Sequence, residues 1–169
     1  RDMVGDGRVL TSLARDAVLD EIESPDIYYS TYIAAPEFLY SDPRLIPSSR
    51  GAALGKTSYM MALDEDDDLK EAITLARGSG ATGIKVYAEY DREMFRKLTE
   101  EAHRQGMKVW AHAALVPAKP SDVVAAGPDV ISHVEMFFFE LHEYYEAREK
   151  QTNKSFDFPN MRVDEPAIV

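Results

Sequence analysis

Apolar and polar positions follow two different periods along the chain. Helical spacing with one apolar stripe predicts helices over residues 8–22, from 69 to the glycines at 78–80, and over 92–105. A short helix capped by Ser121 and a longer one over 135–149 complete the predicted helices. Short runs rich in β-branched, aromatic and other apolar residues predict strands over 26–35, 82–88, 107–114 and 130–133, with a strand end at 1–4.

Local signals set the predicted boundaries. The acidic run 64–68 precedes a helical stripe, where carboxylates satisfy free N–H groups and complement the helix dipole. Gly106 is a typical helix stop. Prolines at 36, 43 and 47, with Gly and Ser-Ser breaks, predict a long irregular loop over 36–58, a type of segment that is often functional.

Strands that alternate with helices at this interval predict an α/β fold, a parallel sheet with helices packed outside. A complete (β/α)8 barrel needs about 250 residues, and the chain has 169. We therefore expect residues 1–150 to form part of such a barrel and residues 151–169 to be an irregular tail. No Gly-x-Gly-x-x-Gly motif opens a helix, and the sequence has no Gly-x-x-x-x-Gly-Lys-Ser/Thr motif. A nucleotide site therefore lacks support.

Composition narrows the function classes further. The net charge of −11 disfavours nucleic acid, and no apolar run approaches the roughly 20 residues of a membrane span. The chain contains no Cys, which excludes disulfides, thiolate ligands and a Cys nucleophile. We expect a soluble, cytoplasmic protein that binds neither nucleic acid nor membrane.

Lys85 lies inside an otherwise apolar strand and shares a strand face with Tyr87. A buried ammonium is costly unless its charge is paired or removed. Two interpretations follow: an ion pair with one of the many acids, or a desolvated amine of lowered pKa that can react with carbon dioxide to give an anionic oxygen ligand.

His112 and His133 close the next two predicted strands. Active sites of parallel α/β folds lie at strand carboxyl ends, and neutral imidazole is a common metal ligand. A single strand-end His is more often structural, whereas two at equivalent positions favour a site. Of the other histidines, we interpret His103 as a surface or helix-end residue. His142 lies in a charged helical context, and its Glu-x-His pair is not a zinc-binding motif.

Three segments together resemble the amidohydrolase superfamily, nearest to its imidazolonepropionase-like and Xaa-Pro dipeptidase-like branch. They are residues 80–87 (GATGIKVY), 102–113 (AHRQGMKVWAHA) and 126–133 (AGPDVISH), and the opening RDMVGD is similar to that branch's second strand and turn. The resemblance implies strands 2 to 6 of a (β/α)8 barrel. It also implies one or two divalent metals, most typically zinc, at the strand carboxyl ends.

The resemblance assigns Lys85, often carboxylated in this family, and His112 and His133 as metal ligands. Tyr87, by strand alternation, is a candidate substrate contact. The implied reaction is hydrolysis of a C–N bond in a small amide, dipeptide or cyclic amide. The family's His-x-His pair is absent, and its strand-eight Asp, the ligand that shuttles a proton, has no assignable counterpart, since Asp157 and Asp164 lie in the tail.

Two hypotheses of different class remain. In the first, the chain is the central part of a metal-dependent amidohydrolase and has little or no activity without the missing segments. In the second, it is a non-catalytic βα domain with a structural or binding role. The unpaired edges and exposed apolar faces of an incomplete barrel predict self-association or docking onto the missing segments. Alternatively, residues 36–63 or 150–169 fold over an edge.

Overall fold

The computed structural model describes residues 1–140; the predicted tail, His142 and the later part of the predicted helix 135–149 lie outside the described residues. Within the described range, six strands form one sheet in the order β2-β3-β1-β4-β5-β6. Adjacent strands are parallel except β2, which runs antiparallel to β3. The strands are β1 Ser30–Ala34, β2 Lys56–Thr57, β3 Met60–Ala62, β4 Gly83–Val86, β5 Lys108–His112 and β6 Val130–Ser132.

Among residues 1–140, six α-helices and one 3₁₀ helix precede, connect or follow the strands. They are α1 Gly7–Val18, α2 Pro36–Ser41, α3 Leu45–Ser48, α4 Leu69–Gly78, α5 Arg92–Arg104, α6 Pro120–Ala125 and the 3₁₀ helix Val134–Glu140. Asp68 and Asp91 cap α4 and α5, each accepting a hydrogen bond from a backbone N–H of the first turn. The α/β class and the four main predicted strands are confirmed.

Three local predictions are wrong. The segment 36–58 is not an irregular loop, because it contains α2, α3 and β2. Pro36 occupies the first turn of α2, where its missing N–H costs no helical hydrogen bond. The short helix begins at Pro120 rather than after Ser121, and the described start of the last predicted helix is 3₁₀, not α.

The sheet separates two apolar clusters. On one face, Ile33, Ile84 and Val109 pack against residues of α4 and α5 such as Ile73 and Phe95. The opposite face carries a smaller cluster with residues of α2 and α3, which comprises Tyr32, Ala34, Leu39, Leu45, Tyr59, Met60 and Ala62. Because side chains alternate along a strand, Lys85 shares this second face with Tyr32, its register partner on β1.

Gly83 sets the contact between β4 and β5. A Cβ at this position would lie 2.8 Å from the Trp110 ring and closer still to the carbonyl oxygen of Lys108. The glycine therefore lets the single tryptophan pack against β4, beside its register partner Lys85. In this way, the strand that carries Lys85 is held directly against the strand that carries His112.

Candidate metal centre

The structure brings together the four residues that the sequence singled out. Lys85 lies within β4 and Tyr87 directly follows it, His112 is the last residue of β5, and His133 directly follows β6. The His112 ring centroid is 4.4 Å from that of Tyr87 and 4.4 Å from that of His133. The three rings form a row across the carboxyl ends of three neighbouring strands.

His133 reaches this row through an unusual backbone conformation. Its φ of 67° lies in the left-handed region, which His adopts more readily than most residues. His112 is in register with Ser132, so regular alternation would turn the next residue to the opposite face. The left-handed turn instead places the His133 ring edge-on to His112. Strain of this kind concentrates at functional sites.

Lys85 is buried without a partner. Its side chain belongs to a residue only 3% exposed, and Nζ makes no hydrogen bond to any residue of the described range. Burial, rather than a charged neighbour, lowers its pKa from 10.5 to about 8. The ion pair with an acid, one of the two interpretations of Lys85, is not seen among residues 1–140. With this pKa the neutral amine is a minor form at pH 7 and the major form above about pH 8.

His112 is also buried with an unsatisfied atom. Nδ1 of this residue has no hydrogen-bond partner among residues 1–140. Burial, together with the neighbouring charges of Lys85 and His133, lowers the pKa of His112 from 6.5 to about 3. The imidazole is therefore neutral at physiological pH, which is the form that binds metals.

A bound cation would explain these two atoms, which lack hydrogen-bond partners among residues 1–140, better than a packed apolar core would. Buried polar atoms in native proteins nearly always have partners, and each exception needs a reason. Two such atoms, Lys85 Nζ and His112 Nδ1, lie in one neighbourhood, and a metal with a carboxylated Lys85 would satisfy both. Residues 1–140 contain no cluster of three or more His, Asp or Glu side chains, so beside His112 and His133 the third candidate ligand in this range is a carboxylated Lys85.

A pocket of about 150 Å³ opens beside His112 and Tyr87. Its walls are largely apolar, and the Phe38 ring centroid lies 5.0 Å from that of Tyr87, with the two rings tilted by 44°. Arg44 is the charged residue of the lining. Sequence reasoning missed Phe38 and Arg44, because both fall in the segment interpreted as an irregular loop. The repeated pattern Asp-x-Arg at residues 6–8 and 42–44 was the available signal.

The other histidine of the described range lies elsewhere. The Nε2 atom of His103 is 3.0 Å from Asp129, which also accepts hydrogen bonds from Lys108 Nζ and the Val109 amide. The His103 side chain is 41% exposed. This group ties α5 to the segment before β6, at the opposite end of β5 from His112, in agreement with the surface role predicted for His103.

Solved structures identify the fold. The chain superposes on ochratoxinase from A. niger with a TM-score of 0.60 at 21% identity, covering 89% of this chain and 38% of that one. A Xaa-Pro dipeptidase with bound methionine in its active site gives a TM-score of 0.61 at 20% identity, and the match covers 88% of this chain and 39% of that one. A protein assigned as a prolidase, from Bifidobacterium longum, gives a TM-score of 0.53 at 24% identity, and the match covers 77% of this chain and 31% of that one.

The chain has the fold of part of an amidohydrolase barrel. These likenesses confirm, at the level of the fold, the partial (β/α)8 barrel that the resemblance drawn from the sequence implied. The chain spans less than two fifths of the length of each structure. No family model and no curated protein matches the sequence. No helix among residues 1–140 has the length and apolar character that a membrane crossing needs.

Proposed function

We propose that the chain is a section of a metal-dependent amidohydrolase that cleaves a C–N bond in a small amide, dipeptide or cyclic amide. One observation carries the proposal: the unpartnered Lys85 Nζ and His112 Nδ1 lie beside His133 at the carboxyl ends of neighbouring strands. The amidohydrolase fold of the chain agrees with this position of the site.

Lys85, His112 and His133 are the residues that would hold the metal. The neutral Lys85 amine can attack carbon dioxide, forming an N–C bond and losing a proton to solvent, which leaves an anionic carbamate oxygen ligand. The imidazoles of His112 and His133 supply neutral nitrogen ligands. His, carbamate and oxygen donors suit zinc, and they also suit iron and manganese.

The remaining residues prepare the site for an amide. When bound, a divalent metal supplies Lewis acidity and lowers the pKa of water. Phe38, Tyr87 and their apolar neighbours exclude bulk water from one side of the pocket, which strengthens electrostatic interactions within it. The Tyr87 hydroxyl can donate a hydrogen bond to a substrate oxygen, as its position after Lys85 predicted. Glu135, 3.7 Å from Nδ1 of His133, can orient that ring.

Metal analysis with matched variants tests the proposal. The purified chain is dialysed against zinc and bicarbonate, and bound zinc is counted by mass spectrometry. We expect stoichiometric zinc in the wild type and in His103→Ala, and loss of it in Lys85→Ala and His112→Ala. Equal zinc in all four proteins, or none in the wild type, would contradict the proposal.

A non-catalytic binding role is the second candidate. It is favoured because this chain spans less than two fifths of the length of each neighbouring structure. Release of amine from a panel of dipeptides and N-acyl amino acids by the zinc-loaded chain separates the two functions. Turnover that Lys85→Ala abolishes supports the hydrolase, whereas zinc binding without turnover favours the second candidate.

A further inference from the structure

Arg44 lines the pocket that His112 and Tyr87 also line, and its guanidinium is fixed in place. Asp42 holds it as a fork, with Nε 2.8 Å from Oδ1 and Nη2 2.6 Å from Oδ2. The Asp42 side chain is only 8% exposed, whereas that of Arg44 is 74% exposed. A buried carboxylate therefore anchors a guanidinium that remains open to the pocket and to solvent.

The fork leaves part of the guanidinium unused. Arg carries five N–H donors, and Asp42 engages Nε and one hydrogen of Nη2. Tyr87 is a further side-chain hydrogen-bond partner of the guanidinium, so among the residues that the structure describes two of the five N–H donors remain for another acceptor. Two such donors match the two oxygens of a carboxylate. Because Arg44 hydrogen-bonds to the Tyr87 side chain, the remaining donors lie beside the proposed substrate contact.

The same local fork occurs at a second place in the chain without the pocket. Asp6 accepts hydrogen bonds from Nε of Arg8 at 3.0 Å and from Nη2 at 2.9 Å. The Arg8 guanidinium stacks over the Tyr59 ring and does not line the pocket that holds His112. The Asp-x-Arg pairing by itself is therefore a local interaction that can form without a binding site. Arg44 differs from Arg8 because it lines the pocket beside His112.

We propose that Arg44 is the specificity-determining residue of this site and binds a carboxylate on the substrate. The neighbouring apolar wall, formed by Phe38, Met136 and Phe139, would take an aromatic or aliphatic group of the same molecule. The inference rests on the proposed function and deepens it: among small amides, the site selects those with a carboxylate near the scissile bond, such as N-acyl amino acids and dipeptides.

Calorimetry with two matched probes tests this inference. N-benzoylglycine carries the aromatic group and the carboxylate, and N-benzoylglycinamide replaces only the carboxylate by a neutral amide. With the full chain and zinc supplied, we expect wild-type protein to bind the acid about tenfold more tightly than the amide. Arg44→Gln should remove that preference by weakening the acid alone, while Arg8→Gln should keep it.

Several results would overturn the inference. They are equal binding of the two probes by the wild type, an unchanged preference in Arg44→Gln, an equal loss in Arg8→Gln, or no binding of either probe at millimolar concentration. Since Arg44→Gln leaves the buried Asp42 carboxylate unpaired and can disturb the loop, Arg44→Lys is the second variant. It keeps the charge without the fork, so a reduced preference supports the inference and an unchanged preference overturns it.

The zinc content of the same samples keeps the two proposals separate. Absence of zinc with an intact preference for the acid counts against the metal-dependent function and leaves the role of Arg44 standing. Stoichiometric zinc with no preference between the probes counts against Arg44 and leaves the metal centre standing.

Discussion

The buried Lys85 amine should make the metal-free protein less stable than it would be with an apolar residue at that position. Lowering its pKa from 10.5 to about 8 corresponds to about 3 kcal/mol, at about 1.36 kcal/mol for each pH unit. Below about pH 8 the amine is charged in both the folded and unfolded states, so the full cost is present at neutral pH. We therefore expect Lys85→Met to stabilise the metal-free protein by about 2–3 kcal/mol at pH 7.

The pH dependence of stability independently checks whether the Lys85 amine destabilises the folded protein. Between about pH 8 and 10.5 the unfolded chain holds a proton on Lys85 that the folded chain lacks, so stability rises with pH across this window. The gain from Lys85→Met should shrink by the upper end of the window. Buried Tyr32 and Tyr90, whose pKa values are raised by burial, also affect stability there, but they cancel in the difference between the two proteins.

Urea unfolding with chelator in carbon-dioxide-free buffer measures this difference. Lys97→Met is the matched control, because its side chain is 53% exposed on α5 and its removal should change stability by no more than about 0.5 kcal/mol. Lys85→Met that is less stable than wild type at pH 7 would refute the reasoning, because it would mean that the amine makes a favourable interaction in the folded protein.

Three further predictions follow from single positions. The His112 ring should show no protonation in NMR titration down to about pH 5, since burial and the charges of Lys85 and His133 lower its pKa to about 3, and a midpoint near 6.5 would contradict the packing described. Gly83→Ala should destabilise by about 1–3 kcal/mol in thermal melts, because the Cβ meets Trp110 and Lys108. Gly78→Ala, with nothing within 4 Å, should be neutral or stabilising by up to about 1 kcal/mol, and equal effects of the two would count against the β4–β5 contact. The half-buried edge strand β6 should promote self-association, and a monodisperse monomer in light scattering would argue against it.

The sequence predicted elements well where one local signal dominates. Asp91 and Gly106 bracket α5, and both act through the backbone groups at helix ends, so the boundary is local. The strand β4 is also a compact apolar run. The segment 36–58 failed because proline was taken as a breaker, although Pro36 starts a helix whose apolar Leu39 is buried only by tertiary contacts.

Some residues of the candidate site follow from the sequence pattern, whereas others are shown only by the structure. The positions of Lys85 and His112 follow from strand ends and alternation, which are properties of the sequence pattern. The orientation of His133 depends on a left-handed backbone that no periodicity encodes. Arg44 depends on the packing of α2 and α3 over the sheet face, and only the structure shows that its fork opens onto the same pocket as His112.

Crystals of the chain grown with zinc, measured on both sides of the zinc absorption edge, test the central claim most directly. The account predicts an anomalous peak about 2.0–2.2 Å from a ring nitrogen of His112 and of His133, with density for a carboxylated Lys85 at the third position. A zinc peak at the surface pair of His103 and Asp129, with none between Lys85 and the two histidines, would contradict it.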